Sequence, residues 1–287
     1  MTHQLRAEGI TLGYDHTPII DGLDFEVIPG AITVIVGANA SGKSTLLKGL
    51  SRLIKPDAGQ VTLGGRNIAA LPGKKVATVV GLLPQQPIAP DGITVADLVG
   101  RGRYPHQGWF RQWSSTDDEI VAAAMAATNT EQLAARHLED LSGGQRQRVW
   151  IAMALAQDPE ILLLDEPTTF LDVTHQIEVL DLLLERNRQH GTTVVMVLHD
   201  LNLAARYADH LVVMRAGKII ATGAPADTLT AEIVRSAFDL EARIVPDPVC
   251  GAPMVVPIGR FHGRAADPDP APADPAPATR SRLHQQV

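Results

Sequence analysis

Gly37, Ala38, Asn39, Ala40, Ser41, Gly42, Lys43 and Ser44 spell G-x-x-x-x-G-K-S, a spacing that can grip phosphate groups. Residues 32–36 are all β-branched, which reads as a buried strand, and residues 45–50 carry apolar side chains at helical spacing. The turn between them would aim the unpaired N–H groups of a first helical turn, and the positive end of its dipole, at one point. Lys43 adds a compact cation for β- and γ-phosphates, and the Ser44 hydroxyl can ligate Mg²⁺.

Downstream, residues 161–164 are four aliphatic side chains in a row, a strand buried on both faces, and Asp165 and Glu166 follow at its end. Adjacent acids there are costly without a cation. Mg²⁺ near Asp165 would relieve the repulsion and leave Glu166 free as a base. A second buried strand over 192–198 ends at His199, at the same end of the sheet as Gly37 and Glu166, where α/β sheets present ligand groups. A third, over 75–83, ends at Gln85 and Gln86, either of which could reach a bound metal or water. Ser142, Gly143, Gly144 and Gln145 precede a helix running through 150–156, as a Ser-capped helix start or a second anion site. Tyr14 lies in a loop between strands, where it reads as a strand-end cap or as a flat ring for a base to stack on.

The rest of the chain must place these groups. Residues 5–12 and 23–28 alternate apolar and polar, as half-buried strands do, punctuated by Gly13 and Pro18. Residues 60–63 and 64–68 suggest a hairpin with Gly64-Gly65 at its tip. The middle third is helical: 93–100 with Thr94 as N-cap, 117–128 and 131–137. Between them, 101–113 (RGRYPHQGWFRQW) mixes Arg with Tyr, Phe and Trp, the composition of an interface anchor. A helix follows over 172–189, ended by Gly191; then come a helix at 201–208, a hairpin at 211–215 and 218–222, and a helix at 230–238. From 265 the chain is Pro-rich, polar and of low complexity, expected to be disordered.

Composition narrows the function. A net charge of −7 gives no basic field, so no nucleic-acid partner is expected. The single cysteine, Cys250, permits no intrachain disulfide and fits a reducing compartment. No apolar signal segment is expected at the N-terminus, and no apolar run approaches the roughly 20 residues of a membrane span, so a membrane role must come through a partner.

GANASGKS, a Gln at a strand end, LSGGQ, and ILLLDEP followed by a strand ending in His occur in that order. Together they make the chain resemble the ATP-binding cassette family over about residues 5–258. The resemblance implies an α/β fold: a P-loop NTPase (RecA-like) core, an N-terminal antiparallel β subdomain, and an inserted α-helical subdomain at about 87–158, with 259–287 as a flexible tail. It makes residues 37–44, with Thr45, the Walker A loop, Gln85 (or its neighbour Gln86) the Q-loop glutamine, and Ser142, Gly143, Gly144 and Gln145 part of the signature motif. Asp165 becomes the Walker B aspartate acting on Mg²⁺ through water, Glu166 the base, Asp172 part of the D-loop, His199 the switch histidine and Tyr14 the adenine-stacking ring. It implies ATP and Mg²⁺ as cofactors and a head-to-tail dimer with a second copy, each ATP held between one Walker A loop and the other subunit's signature motif.

GRGRYPHQ, TTFLD, THQ and DPVCGAPMVVP further resemble ATPase subunits of bacterial iron(III)-siderophore importers of the ferric-enterobactin kind. Heme and cobalamin importers share the cassette. The expected partners are transmembrane permease subunits, docking through 101–113, and indirectly a substrate-binding protein. The expected place is peripheral, on the cytoplasmic face of the bacterial inner membrane. A soluble cassette ATPase of ribosomes or DNA is disfavoured by the single cassette without sustained heptads, and a regulatory module without turnover by Glu166 and His199. Two departures stand out: Ala40 where the family has Gly at a position needing positive φ, and Phe170 where other cassettes have a small residue.

Overall fold

The computed structural model describes residues 3–15, 17–108 and 113–259. Along the chain these form β1 (Leu5–Tyr14), β2 (Thr17–Glu26), β3 (Ile32–Gly37), α1 (Lys43–Leu50), β4 (Ala58–Leu63), β5 (Arg66–Asn67), α2 (Gly73–Ala77) and β6 (Val80–Leu83). Next come α3 (Val95–Gly100), α4 (Ser115–Ala127), α5 (Gly143–Ala156), β7 (Ile161–Asp165), α6 (Val173–His190) and β8 (Thr193–Val197). The chain closes with α7 (Leu201–Tyr207), β9 (His210–Arg215), β10 (Lys218–Gly223), α8 (Pro225–Thr228), α9 (Ala231–Phe238), β11 (Ala242–Pro246) and β12 (Pro253–Pro257).

A six-stranded sheet in the order β10-β9-β3-β8-β7-β6 is the centre of the molecule, parallel except for β10 at its edge. Every residue of β3, β7 and β8 is buried, because both faces are covered and each strand needs apolar side chains on both. Val34, Val36, Leu162, Leu164, Val194 and Met196 face one core with α3, α4, α5 and α6. Ile35, Leu163, Val195 and Val197 face the other, with α1 and a second, antiparallel sheet of order β2-β1-β4-β5. The two-residue period of a strand makes that division. β11 and β12 pair as a small hairpin against α7, where the Asn202 side chain bonds both N–H and C=O of Val255.

Several expectations change. The second strand spans Thr17–Glu26, not 23–28, so Tyr14 ends β1 instead of lying in a loop. Pro18 is tolerated because β2 is an edge strand. The run 75–83 is not one strand: its first part belongs to α2, after Pro72, and only Val80–Leu83 joins the sheet. The helix expected over 131–137 is a single 3₁₀ turn, Glu131–Leu133. Seven residues are too few to nucleate a helix alone, and the carbonyls of Ala134 and Arg136 instead accept from Ala96 and Val95 at the start of α3. Thr94 does cap that helix, its hydroxyl meeting both the N–H and the carboxylate of Asp97.

The segment 101–113 also differs from a loop that presents its side chains. Arg101–His106 is a 3₁₀ helix, and Arg103 is interior, its Nε donating to Asp117 Oδ1 at 2.9 Å and its Nη1 to the Ala156 carbonyl at 2.9 Å. Arg103 therefore cannot serve as an interface anchor: a guanidinium leaves water only where fixed acceptors replace it. Tyr104 and Trp113 are exposed. Residues 109–112 of this segment and the expected tail, 260–287, lie outside the described residues.

Candidate active site

The parallel strands end together, and the groups singled out in the sequence follow their carboxyl ends: Gly37 after β3, Gln85 after β6, Glu166 after β7 and His199 after β8. Gln85, Glu166 and His199 line one cleft of about 720 Å³ with Asn39, Ala40, Ser41, Gly42, Lys43, Ser44 and Thr45; Gly37, at the end of β3, leads into the loop that forms its wall. Gln85, not Gln86, is the glutamine on its wall.

The loop from Gly37 to Lys43 has strict backbone demands. A Cβ on Gly37 would stand 2.2 Å from the Met214 carbonyl oxygen, so only glycine allows the chain to leave the sheet this close to β9. Gly42, at φ 100°, turns the chain into α1. Ala40 stands at φ 60°, the left-handed region that L-residues other than Asn or Asp rarely enter. Lys43 is buried and its ammonium donates to the carbonyls of Gly37 (2.8 Å) and Ala38 (2.9 Å). Burial lowers its pKa, against the opposing pull of the Glu166 and Asp165 carboxylates.

Across the cleft, Ser44 donates its hydroxyl to Asp165 Oδ1 at 2.9 Å. Asp165 is 1% exposed and its Oδ2 has no hydrogen-bond partner. Burial pushes its pKa up, with the Ser44 hydrogen bond opposing. A buried carboxylate oxygen left unpaired is costly, and an oxygen pair from Ser44 and Asp165 is what a hard divalent cation prefers, so these residues fit Mg²⁺.

Glu166 is buried and has φ 55°, which turns its side chain back into the cleft. His199 Nε2 lies 2.6 Å from Glu166 Oε1, and the Thr169 hydroxyl donates to Oε2 at 3.2 Å. Burial alone would raise the pKa of Glu166; hydrogen bonds from His199, Gln85 and Thr169 outweigh it and hold the carboxyl below its ordinary value. The group is thus ionised at neutral pH and beside the mouth of the phosphate loop.

Other predicted residues are not in this cleft. Ser142 and Gln145 form a reciprocal capping box at the start of α5. Gly143 lies beside Phe170, where an added Cβ would come to 3.5 Å from the Phe170 Cβ. Asp172 caps α6, accepting from the His175 N–H at 3.0 Å and its Nδ1 at 2.8 Å. Tyr14 is 44% exposed, and the Lys48 ammonium stands 5.9 Å from its ring centroid. Sequence reasoning missed Ile19, which lines the cleft from β2, and Thr169. The position of Thr169 three residues after a strand-end acid was the available signal, as in any turn where a hydroxyl can reach back.

The family model described as ABC transporter matches residues 20–169. The chain is 55% identical to an achromobactin transport ATP-binding protein of Dickeya dadantii (strain 3937), over 88% of this chain and 93% of that one. It is 51% identical to a ferric enterobactin transport ATP-binding protein of Escherichia coli (strain K12), over 90% of this chain and 95% of that one. Among solved structures, a dimeric ATP-binding cassette in a post-hydrolysis state, bound to ADP and Pi, superposes with a TM-score of 0.70 at 27% identity, covering 77% of this chain and 98% of that one.

Proposed function

The chain belongs to the ABC transporter family and is an ATPase; from that premise we propose that it powers a bacterial importer of iron(III)-siderophore complexes. The observation carrying the ATPase chemistry is the convergence of Lys43, Gln85, Glu166 and His199 on one cleft at the carboxyl ends of four parallel strands. The substrate class rests on relatives named for transport of achromobactin and ferric enterobactin.

In this reading the amides from Ala38 to Thr45 and the Lys43 ammonium hold the β- and γ-phosphates, and Tyr14 lies under the adenine. Ser44, Gln85 and, through water, Asp165 would hold Mg²⁺, which supplies charge neutralisation of the phosphate oxygens. Glu166 accepts a proton from the attacking water as its oxygen bonds the γ-phosphorus and the bond to the bridging oxygen breaks. His199, now on Glu166, passes its hydrogen bond to the γ-phosphate. Positioning and charge do the work, as in phosphoryl transfer generally. Ser142, Gly143, Gly144 and Gln145 lie outside the cleft and serve the ATP of a second copy, packed head to tail, with Asp172 at the seam. The chain acts from the cytoplasmic face of the inner membrane on permease subunits fed by a substrate-binding protein. No helix among the described residues is long and apolar enough to cross a membrane, so the span belongs to those partners. The helical segment of about 87–158 is the unit that moves on ATP binding, and its exposed Tyr104 and Trp113 face the permease.

The test is uptake of a labelled ferric siderophore by iron-starved cells lacking this protein. Loss of uptake, restored by the wild-type gene and not by Glu166→Gln, is the expected result. Normal siderophore uptake with loss of heme or cobalamin uptake would transfer the chain to those importers.

A further inference from the structure

Glu166 is held by more than its histidine. Its two carboxylate oxygens face different donors: Oε1 meets His199 Nε2 at 2.6 Å, and Oε2 accepts from the Thr169 hydroxyl at 3.2 Å. The loop that carries both residues is fixed. Thr169 N–H donates to the Glu166 carbonyl at 3.2 Å, closing a turn around Pro167. The Pro167 carbonyl accepts from the buried Gln147 side chain of α5 at 3.0 Å. Leu171, two residues on, is buried in the core. Thr169 is therefore presented to Oε2 by a backbone tied down on both sides, and among the described residues its hydroxyl bonds one acceptor, that carboxylate oxygen.

We infer that Thr169 is a positioning residue of the catalytic base: its hydroxyl fixes the plane of the Glu166 carboxylate while His199 leaves Oε1 for the nucleotide. The inference rests on the reading of Glu166 as the base. When His199 turns to the γ-phosphate, Oε1 is freed for the attacking water, and the side-chain donors left on the carboxylate are Thr169 and Gln85; without the Thr169 hydroxyl it would turn more freely about its last bond, a soft torsion. A donor on Oε2 prevents this without competing for the water.

Thr169→Val keeps the branched shape and removes the donor, whereas Thr169→Ser keeps the donor. ATP hydrolysis by the full chain should fall about tenfold in kcat for Thr169→Val, the size expected for one hydrogen bond to a charged group, and kcat/KM should fall with it, KM for ATP staying unchanged. Thr169→Ser should restore both. In a Glu166→Gln background, Thr169→Val should cost nothing further in the residual rate, the non-additivity of groups acting as a unit. If Thr169→Val matches wild type in kcat, or if Thr169→Ser falls as far as Thr169→Val, the inference is overturned, the second result assigning Thr169 to packing. Should Thr169→Val fail to fold, the kcat and KM of Thr169→Ala and Thr169→Ser decide in the same way. Undiminished turnover by Glu166→Gln would instead remove the base itself, a failure of the underlying reading that these Thr169 outcomes do not mimic.

Discussion

Lys43 and Glu166 line one cleft and have separable tasks. Lys43 is a buried cation whose acceptors are loop carbonyls, and its charge is compensated in full only when phosphate enters. Lys43→Ala should therefore weaken nucleotide binding at least tenfold, read by equilibrium binding of a fluorescent ATP analogue, given the roughly 1.5–3 kcal/mol of a charged hydrogen bond. Glu166→Gln keeps shape and a polar group, so ATP binding should persist while turnover falls by two or more orders of magnitude, the scale of general-base catalysis. Ala40 is the third informative residue. Its φ of 60° costs a residue with a Cβ about 1 kcal/mol, partly offset in Ala40→Gly by the greater entropy of an unfolded glycine. Ala40→Gly should raise Tm by one to a few degrees (~0.5 kcal/mol), and a fall in Tm would mean the loop relaxes around alanine.

Among the elements, the helices inserted between β6 and β7 depend on one buried ion pair. Arg103 joins the 3₁₀ helix after α3, the start of α4 and the last turn of α5 through Asp117 and the Ala156 carbonyl. Both partners are nearly inaccessible, so removing one strands the other. Arg103→Ala should cost about 3–5 kcal/mol, visible as a fall in denaturation midpoint. The hydrogen bond from Arg103, with Ser114 assisting, holds the Asp117 carboxyl at about 2, below its ordinary 3.8. A carboxyl depressed in the folded state adds stability above its unfolded pKa and loses it as pH falls through the folded value. The difference in Tm between wild type and Asp117→Asn should therefore be full at neutral pH and shrink from about pH 4 towards pH 2. A difference independent of pH would mean that Asp117 acts by shape alone.

At the level of the whole molecule, half of the proposed ATP site is displayed outward. Phe170 (74% exposed) lies against Gly143 and Gly144 of the capping-box turn, and Val173, three residues on, is 76% exposed; exposed apolar side chains beside polar backbone groups suit a partner surface. Because Glu166→Gln retains ATP, it should elute as a dimer in ATP and as a monomer without it; a monomer in both would argue against assembly through this face. The proposed permease contact is a separate surface. With Arg103 inside, the exposed side chains left to make it are those such as Tyr104 and Trp113 beside the groove formed with Pro90, Ala96 and Gln107. Tyr104→Ala should leave ATP hydrolysis by the isolated chain unchanged and abolish uptake of labelled ferric siderophore. Normal uptake would place the docking surface elsewhere.

Much of this was readable in the chain because it is locally encoded. Strands buried on both faces must be continuously aliphatic, so residues 32–36 and 161–164 declared themselves. A phosphate-binding turn must place small residues at fixed offsets, so the loop from Gly37 to Ser44 did too, and the joint order of four short motifs identified the cassette. Helix starts at Thr94, Ser142 and Asp172 follow from side chains that bond their own next turn. What the tertiary structure decided are pairings between distant segments, which no periodicity records. Nothing near Arg103 in sequence says that its guanidinium will meet a carboxylate 14 residues away and a carbonyl 53 residues away. A basic side chain in an aromatic run reads the same whether it points to solvent or into the fold. The choice of Gln85 over its neighbour, the division of 75–83 between α2 and β6, and the grip of Thr169 on Glu166 are of the same kind. Each depends on where a second segment lies in space, and that is settled by packing the two sheets and the helices together.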